Sequence, residues 1–434
     1  MRKTLLSSLL LFLSPFILFA QQKRATEQKP FALIHVTIID ATGAPARPDM
    51  TVVIAAGRIA AIGPNKKLAV PKETLLIDAT GKFLIPGLWD MHAHTGDEEF
   101  DKQSHLPLFI ANGVTGIRLM SGLPQHHLWR KEIESGALQG PRMIIASGRI
   151  DESKAYEESA RQAVRKSVQE GADFFKVYDD LPRGAYFALM KEARRLGLPV
   201  EGHVPASVTA EEASEAGQKS IEHLTGLDEA KSDAGRADAV LAVFKKNHTW
   251  QCPTLIMRRN YAWLDDTSLT GDPRLKYVKP SWRERWLSMS KQSGSLPAVE
   301  WSVRKQLVGK EKALVGRMQK AGVGILAGTD DVNPYCFPGF SLHDELALLV
   351  EAGLTPMQAL QAATLNPAKF LNKVKSLGTV EEGKLADLVL LDANPLEDIR
   401  NTTRINAVVV NGRFLSRKDL DHILADAEAA AKRK

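Results

Sequence analysis

The chain of 434 residues is longer than one ordinary hydrophobic core supports, so its length favours roughly two or three domains, or one large barrel with an appended domain. With 44% hydrophobic and 25% charged residues, its composition is that of a packed globular protein and excludes disorder for most of the chain. The 57 basic residues exceed the 51 acidic residues by six, and five basic residues lie at the two chain ends. We therefore expect no nucleic-acid partner, because such a surface needs its basic excess on one folded face.

The first twenty residues have the pattern of a signal peptide. Arg2 and Lys3 precede an apolar run of 16 residues from Leu5 to Ala20, and the polar Gln21 follows it. This run is shorter than the ~20 residues of a membrane-spanning helix, and serines and a proline interrupt it. We expect cleavage near Ala20 and a periplasmic or secreted protein without stable membrane insertion; an uncleaved anchor is the alternative.

The sequence has two cysteines, Cys252 and Cys336. Two are too few for a disulfide framework, and these lie too far apart to suggest a cysteine-rich metal motif. We interpret both as packing residues. A single disulfide between them stays open, because an exported protein enters an oxidising compartment.

Short β-type runs separated by turn residues occupy residues 31–84, and the same pattern of short runs and turns begins again near Gly378. Short strands from the two ends need each other to bury an apolar face, so we expect one composite β-sandwich domain from residues 21–85 and 372–434.

Between these flanks, eight strand-like runs alternate with helical stretches, which is typical of a parallel α/β fold. The runs span residues 87–94, 113–120, 142–150, 173–180, 199–205, 220–224, 249–255 and 324–330. They predict a (β/α)8 TIM barrel over residues 86–371. A doubly wound open sheet is the alternative, although no glycine-rich phosphate loop follows the first strand. A helical insertion at 257–319 carries four tryptophans and predicts either a small core of its own or a lid over the barrel mouth.

Barrel enzymes carry their reacting groups at the C-terminal ends of the strands. Five of the eight predicted strands have a residue there that could bind a metal: His92, His94, Lys176, His203, His223 and Asp330. Alone, each is more often a core or capping residue. Together, such nitrogen and oxygen ligands suit zinc, ahead of manganese, iron or cobalt.

Lys176 is unusual because strand alternation places it on one face with Phe174 and Tyr178, in a largely apolar setting. A buried lysine of this kind either pairs with a carboxylate or reacts with carbon dioxide. The resulting carbamate is a two-oxygen anion able to bridge two metal ions.

The sequence resembles the amidohydrolase superfamily, and within it the secreted imidazolonepropionase-like and prolidase-like (Xaa-Pro dipeptidase-like) members. The resemblance covers nearly the whole mature chain and rests on PGLWDMHAH, GVTGIR, FFKVY, EGHVP, IEHL, LAGTD, the segment 354–371 and GTVEEGKLADLVLLD. It implies a barrel flanked by a composite β-sandwich, with two divalent ions at the barrel mouth.

By the same resemblance, His92 and His94 would bind the more buried ion with Asp330. His203 and His223 would bind the second ion, and carboxylated Lys176 would bridge the two. The implied activity is hydrolysis of an amide-type C–N bond in a small substrate, such as a dipeptide, an N-acyl amino acid or a cyclic amide, by a metal-activated hydroxide.

In this mechanism Asp330 is the catalytic residue, which orients the water, takes its proton and returns it to the leaving nitrogen. Its neighbour Asp331 has no role in the family pattern, and we interpret it as a loop or capping residue.

Three further residues are weaker candidates for substrate contacts. Arg118 would meet a substrate carboxylate or form a structural salt bridge. Tyr178 would donate to the developing oxyanion or pack in the core. For His343, a structural or rim role is favoured over catalysis.

Two other functions remain as alternatives. One is a mononuclear imidazolonepropionase-like cyclic-amide hydrolase or lactonase. Lys176 argues against this alternative, because a bridging lysine favours two metals. The other is a non-catalytic exported binding protein. A deaminase is disfavoured, because Ala206 and Gly226 stand where an HxxE pair would need glutamate after His203 and His223. Whether the chain forms a homo-oligomer is left open.

Overall fold

The computed structural model describes residues 29–96, 98–149, 156–293 and 296–433. The predicted signal peptide at residues 1–20 lies outside them. Within these ranges, no helix combines the length and the apolar character needed to cross a bilayer.

Five short strands open the described chain and begin a flanking sheet. They are β1 (Phe31–Ile38), β2 (Arg47–Ala55), β3 (Arg58–Pro64), β4 (Leu75–Asp78) and β5 (Phe83–Pro86). The strands β1, β2 and β3 pair antiparallel in sequence order, whereas β4 and β5 both pair parallel with β1. Five strands therefore enter the sheet before the barrel begins.

Seven parallel strands follow: β6 (Leu88–Ala93), β7 (Val114–Leu119), β8 (Arg142–Ile145), β9 (Phe175–Val177), β10 (Val200–Gly202), β11 (Ser220–Glu222) and β12 (Trp250–Cys252). They form two ladders, β6–β7–β8 and β9–β10–β11–β12, which a bridge between Ala146 and Phe174 joins. Residues 325–330 supply the eighth position, since Ile325 bridges to Gln251 and the Met91 amide donates to the Ala327 carbonyl. The parallel strands thus close on themselves, and the predicted (β/α)8 barrel is confirmed.

The helices surround the barrel and extend beyond it. They are α1 (Glu99–Gln103), α2 (His105–Ala111), α3 (Pro124–Glu134), α4 (Glu157–Gln169), α5 (Arg183–Leu196), α6 (Ala210–Ala216), α7 (Ala234–Asn247), α8 (Leu255–Ala262), α9 (Pro280–Ser293), α10 (Ala298–Ala321), α11 (Phe340–Glu351), α12 (Pro356–Ala362), α13 (Leu365–Phe370) and α14 (Arg417–Lys432). The helix α5 illustrates the local cause: Tyr186, Leu189 and Ala193 recur at helical spacing and are buried, and Gly197 ends the helix with a φ of 70°.

The insertion between β12 and the eighth strand position contains α8, α9, α10 and two short 3-10 helices, Thr267–Gly271 and Pro273–Tyr277. It has an apolar core of its own, in which Trp286 and Trp301 pack with Leu264. Tyr335 and Phe337, which follow the eighth strand position, join this core and connect the insertion to the barrel mouth. The insertion therefore packs its own core and also covers part of the mouth.

After the barrel the chain returns to the flanking sheet through β13 (Leu388–Leu391), β14 (Ile405–Val410) and β15 (Arg413–Ser416). The strand β13 pairs antiparallel with β5, with Val389 opposite Ile85. The sheet order is β15-β14-β13-β5-β1-β2-β3, with β4 added to β1. The two ends of the chain therefore share one sheet and one apolar core, as predicted.

Cys252 and Cys336 are both buried and both carry free thiols. The disulfide that the sequence left open is not formed, and the interpretation as packing residues holds. Cys336 also contacts the Asn260 amide, whose nitrogen lies 3.5 Å from its sulfur.

Candidate metal centre

The Asp330 carboxylate lies among three of the predicted histidine ligands. Its Oδ1 lies 2.9 Å from Nε2 of His94 and 3.5 Å from Nε2 of His92, and its Oδ2 lies 3.7 Å from Nε2 of His223. Ligand atoms of His92, His223 and Asp330 all lie within 4.8 Å of one another. The C-terminal ends of β6, β11 and the eighth strand position thus bring their donors to one point.

His203 and Lys176 complete the group on the neighbouring strands. The His203 ring centroid is 4.9 Å from that of His223, and its Nδ1 lies 3.0 Å from Oδ2 of Asp179. Lys176 is buried, with 3% of its surface exposed. Within the described parts of the chain, no carboxylate oxygen lies within 4.0 Å of its Nζ, so the structural ion pair has no partner there. Burial lowers the pKa of Lys176 to about 8, which increases the fraction of uncharged amine near neutral pH.

Hydrogen bonds orient two of the histidines as ligands. Nδ1 of His92 donates to Oε2 of Glu222 at 2.8 Å. Nδ1 of His223 donates to the Thr254 hydroxyl at 2.6 Å, and that hydroxyl in turn donates to the Pro253 carbonyl. Both rings therefore present an unprotonated Nε2 to Asp330, as a metal requires. Burial also lowers the pKa of both rings, to about 3 for His92, which keeps them neutral.

Arg118 lies behind the histidines and does not face a substrate. Its guanidinium is completely buried and donates to Glu201 at 2.7 Å and to Glu222 at 2.9 Å. It also lies over the rings of Phe174 and Phe370. The expected contact between Arg118 and a substrate carboxylate is therefore wrong, because both carboxylates that pair with Arg118 belong to the protein itself. The structural salt bridge is the observed role.

Two buried carboxylates fix the backbone of the His92–His94 segment. Asp90 accepts from the His92 amide at 3.1 Å, and Asp331 accepts from the His94 amide at 2.5 Å. Asp331 lies in the turn after the eighth strand position, which agrees with its interpretation as a loop residue, and it is completely buried. Burial raises the pKa of both groups, to about 7 for Asp90 and well above the usual value for Asp331, where the nearby Asp90 adds to the effect.

The backbone at two of the ligands is strained. His223 has a φ of 57° and Asp330 a φ of 54°, in the left-handed region that side chains disfavour. Between the barrel strands, Gly328 is required by close packing, because a Cβ there would lie 2.7 Å from Cβ of His92. Such strain is typical of sites that a fold holds in one functional geometry.

Tyr178 and His343 have different positions. The Tyr178 ring lies 5.5 Å from that of His203, and its hydroxyl donates to the Met120 carbonyl at 3.2 Å, so it lies next to the ligands. His343 is buried between the Thr402 hydroxyl and the Asn112 carbonyl, at 2.9 and 3.1 Å. It has the structural role that the sequence favoured and no place at the rim.

We expect Glu222→Gln to weaken metal binding by about 10–100-fold, the usual effect of removing a carboxylate that orients a histidine ligand. The measurement is a competition titration with a metal chelator. Glu201→Gln is the matched control, because Glu201 also pairs with Arg118 but has no contact with His92. Equal losses in the two variants would show that the Arg118 charge balance, and not the His92 hydrogen bond, is responsible.

Comparison with known proteins agrees with this architecture. The model of the amidohydrolase family matches residues 83–415. Ochratoxinase from Aspergillus niger is 26% identical over 451 aligned positions, which cover 87% of this chain and 84% of that protein. Among solved structures, bottromycin amidohydrolase has a TM-score of 0.75 and 26% identity, covering 94% of this chain and 92% of that chain. A putative prolidase from Bifidobacterium longum has a TM-score of 0.72 and 26% identity, covering 92% and 99%. The chain therefore belongs to the amidohydrolase family, whose members here are hydrolases that act on carbon–nitrogen bonds.

Proposed function

We propose that the chain is a binuclear metal-dependent hydrolase that cleaves an amide bond of a small substrate, such as a dipeptide, an N-acyl amino acid or a cyclic amide. The observation that carries the proposal is the convergence of His92, His94 and His223 on Asp330, with Lys176 buried beside them and without a carboxylate partner among the described residues.

The donor set fits two divalent ions. His92, His94 and Asp330 would hold one ion, His203 and His223 would hold the other, and a carbamate on Lys176 would bridge them. We favour zinc, because neutral imidazoles and carboxylates are its common ligands in catalytic sites. When bound, such ions supply a water of lowered pKa and polarise the scissile carbonyl.

Asp330 would move the proton. Burial alone would raise its pKa, but the imidazoles of His92, His223 and His94 hold the pKa well below its usual value, so the carboxylate is ionised and can accept a proton. With 11% of its side chain exposed, it faces the remaining open space at the mouth. It would take the proton of the attacking water and deliver it to the leaving nitrogen.

Tyr178 remains a candidate for stabilising the developing oxyanion. Its ring lies beside His203, where a polarised carbonyl would lie, but its hydroxyl now donates to the Met120 carbonyl. For Tyr178 to stabilise the oxyanion, its hydroxyl would have to exchange this hydrogen bond for one to the carbonyl oxygen of the substrate.

The experiment that tests the proposal is a hydrolysis screen of N-acyl amino acids and Xaa-Pro dipeptides with purified protein. We expect amine release by zinc-loaded protein, loss of release after chelation, and recovery when zinc is returned. Lactones form a second panel, and cyclic amides are screened with the first. Turnover confined to lactones would contradict the proposal and favour the lactonase.

A further inference from the structure

A cavity of about 320 Å³ adjoins the metal centre on the side of His94. Its volume lies at the lower end of the ~300–1,000 Å³ range of small-molecule sites. One wall is the helix α9 of the insertion, which contributes Trp282, Arg285, Trp286 and Met289. The rest of the lining includes Tyr261 and the segment 332–334. The insertion thus encloses a space that reaches a predicted metal ligand.

The cavity is connected by hydrogen bonds to the residue that would move the proton. The Tyr261 hydroxyl donates to Oδ1 of Asn333 at 2.9 Å. The Asn333 side-chain amide donates to the backbone carbonyl of Asp330 at 2.8 Å. A ligand that fills the cavity therefore lies against the same segment that positions Asp330.

Three of the four α9 residues at the cavity have apolar side chains, and aromatic contacts hold the two indoles in place. The Trp286 ring lies 5.6 Å from that of Tyr335 and 5.7 Å from that of Phe337, and it is buried. The Trp282 ring lies 5.6 Å from that of His105. Rigid indole faces of this kind bind aromatic or bulky apolar groups, because little side-chain entropy is lost on binding.

Arg285 gives this apolar wall a positive charge. Arg274 and Arg304, also in the insertion, form ion pairs with carboxylates, and Arg283 on α9 donates to the Leu275 carbonyl. Arg285 is exposed at the cavity, and across the residues that the structure describes no carboxylate oxygen lies within 4.0 Å of its guanidinium. A guanidinium without an internal partner can bind a carboxylate through two parallel hydrogen bonds.

We propose that Arg285 binds a free carboxylate of the substrate while the adjoining aromatic or bulky apolar group packs against Trp282 and Trp286. This inference rests on the proposed amide hydrolysis and specifies its substrate class: N-acyl amino acids or dipeptides with a large apolar residue and an unblocked carboxylate. Arg285 is then a specificity-determining residue supplied by the insertion.

Binding can be measured apart from turnover with a probe that is not hydrolysed. The ketomethylene analogue of N-acetyl-L-phenylalanine has a CH₂ group in place of the amide nitrogen, and a second ketone lacks the carboxylate. Quenching of tryptophan fluorescence in the zinc-loaded protein measures binding, since two of its seven tryptophans, Trp282 and Trp286, line the cavity. Wild-type protein should bind the carboxylate probe about tenfold more tightly than the neutral probe, as expected for a charge-assisted hydrogen bond.

Arg285→Met should remove this preference, whereas Lys291→Met, which deletes a charge from the same helix outside the cavity wall, should keep it. An Arg285→Met protein that retains the preference, or a wild-type protein that shows none, would overturn the inference. Arg285-dependent binding without hydrolysis of any amide would contradict the proposed function alone. Amide hydrolysis with the KM for carboxylated substrates unchanged in Arg285→Met would contradict the subsite alone.

Discussion

Asp330→Asn should reduce kcat on a good amide substrate by roughly 10²–10⁴-fold, the usual contribution of general acid–base catalysis. Asparagine keeps the size of the side chain and one ligand oxygen, but it cannot carry the proton between water and leaving nitrogen. The position is sensitive because the carboxylate oxygens lie 2.9–3.7 Å from three imidazole nitrogens and no other carboxylate takes this place among the described residues. The measurement is steady-state kinetics combined with metal analysis of the same sample.

Metal content separates the two roles of Asp330. The variant should keep both ions, since an amide oxygen can still coordinate and the histidines are untouched. Asn333→Ala is a useful companion, because it removes the hydrogen bond to the Asp330 backbone but leaves the carboxylate. Near-normal turnover of Asp330→Asn with both ions bound would mean that another group moves the proton.

Lys176→Ala should lose at least one metal ion and with it nearly all activity. The lysine is buried, its amine has a pKa lowered to about 8, and the described chain offers it no carboxylate partner, so a carbamate is the group that would balance the charge of two cations. Elemental analysis of the purified variant measures the loss of metal. Short carboxylates such as acetate or propionate should restore part of the activity by occupying the place of the carbamate.

Lys219→Ala is the matched control for this prediction. Lys219 is a second barrel lysine and is partly buried. Its amine lies over the Phe370 ring and 3.8 Å from Glu201, away from the ligand histidines. We expect this variant to keep its metal and its activity. Full metal content and turnover in Lys176→Ala would show that Lys176 has only a structural role.

The barrel and the grouping of candidate ligands at its mouth were predictable because both follow from local patterns. Alternating strand and helix runs gave the parallel strands, and polar residues at strand ends gave His92, His203 and Asp330. The same alternation places Glu201 and His203 on one face of their strand, so it could have identified Glu201 as a residue near the site. Strict alternation would place His223 on the face opposite Ser220 and Glu222. The backbone leaves the extended region at His223, where φ is 57°, and the ring lies beside Asp330.

A structural salt bridge was one of the two roles expected for Arg118, but its partners were not predictable. Its partners Glu201 and Glu222 lie 83 and 104 residues away along the chain, and only barrel closure brings them together. The contact of Asp331 with the His94 amide was not predictable either, because it spans 237 residues. The cavity beside Arg285 likewise depends on how the insertion packs against the segment 332–334, which no local pattern determines.

The metal stoichiometry of the purified protein is the most direct test of a binuclear centre. Protein prepared with ample zinc and bicarbonate should contain two ions per chain, and anomalous diffraction should place one among His92, His94 and Asp330 and the other at His203 and His223. We predict continuous density between the Lys176 amine and both ions. At most one ion per chain under these conditions, with an unmodified Lys176, would contradict the binuclear centre.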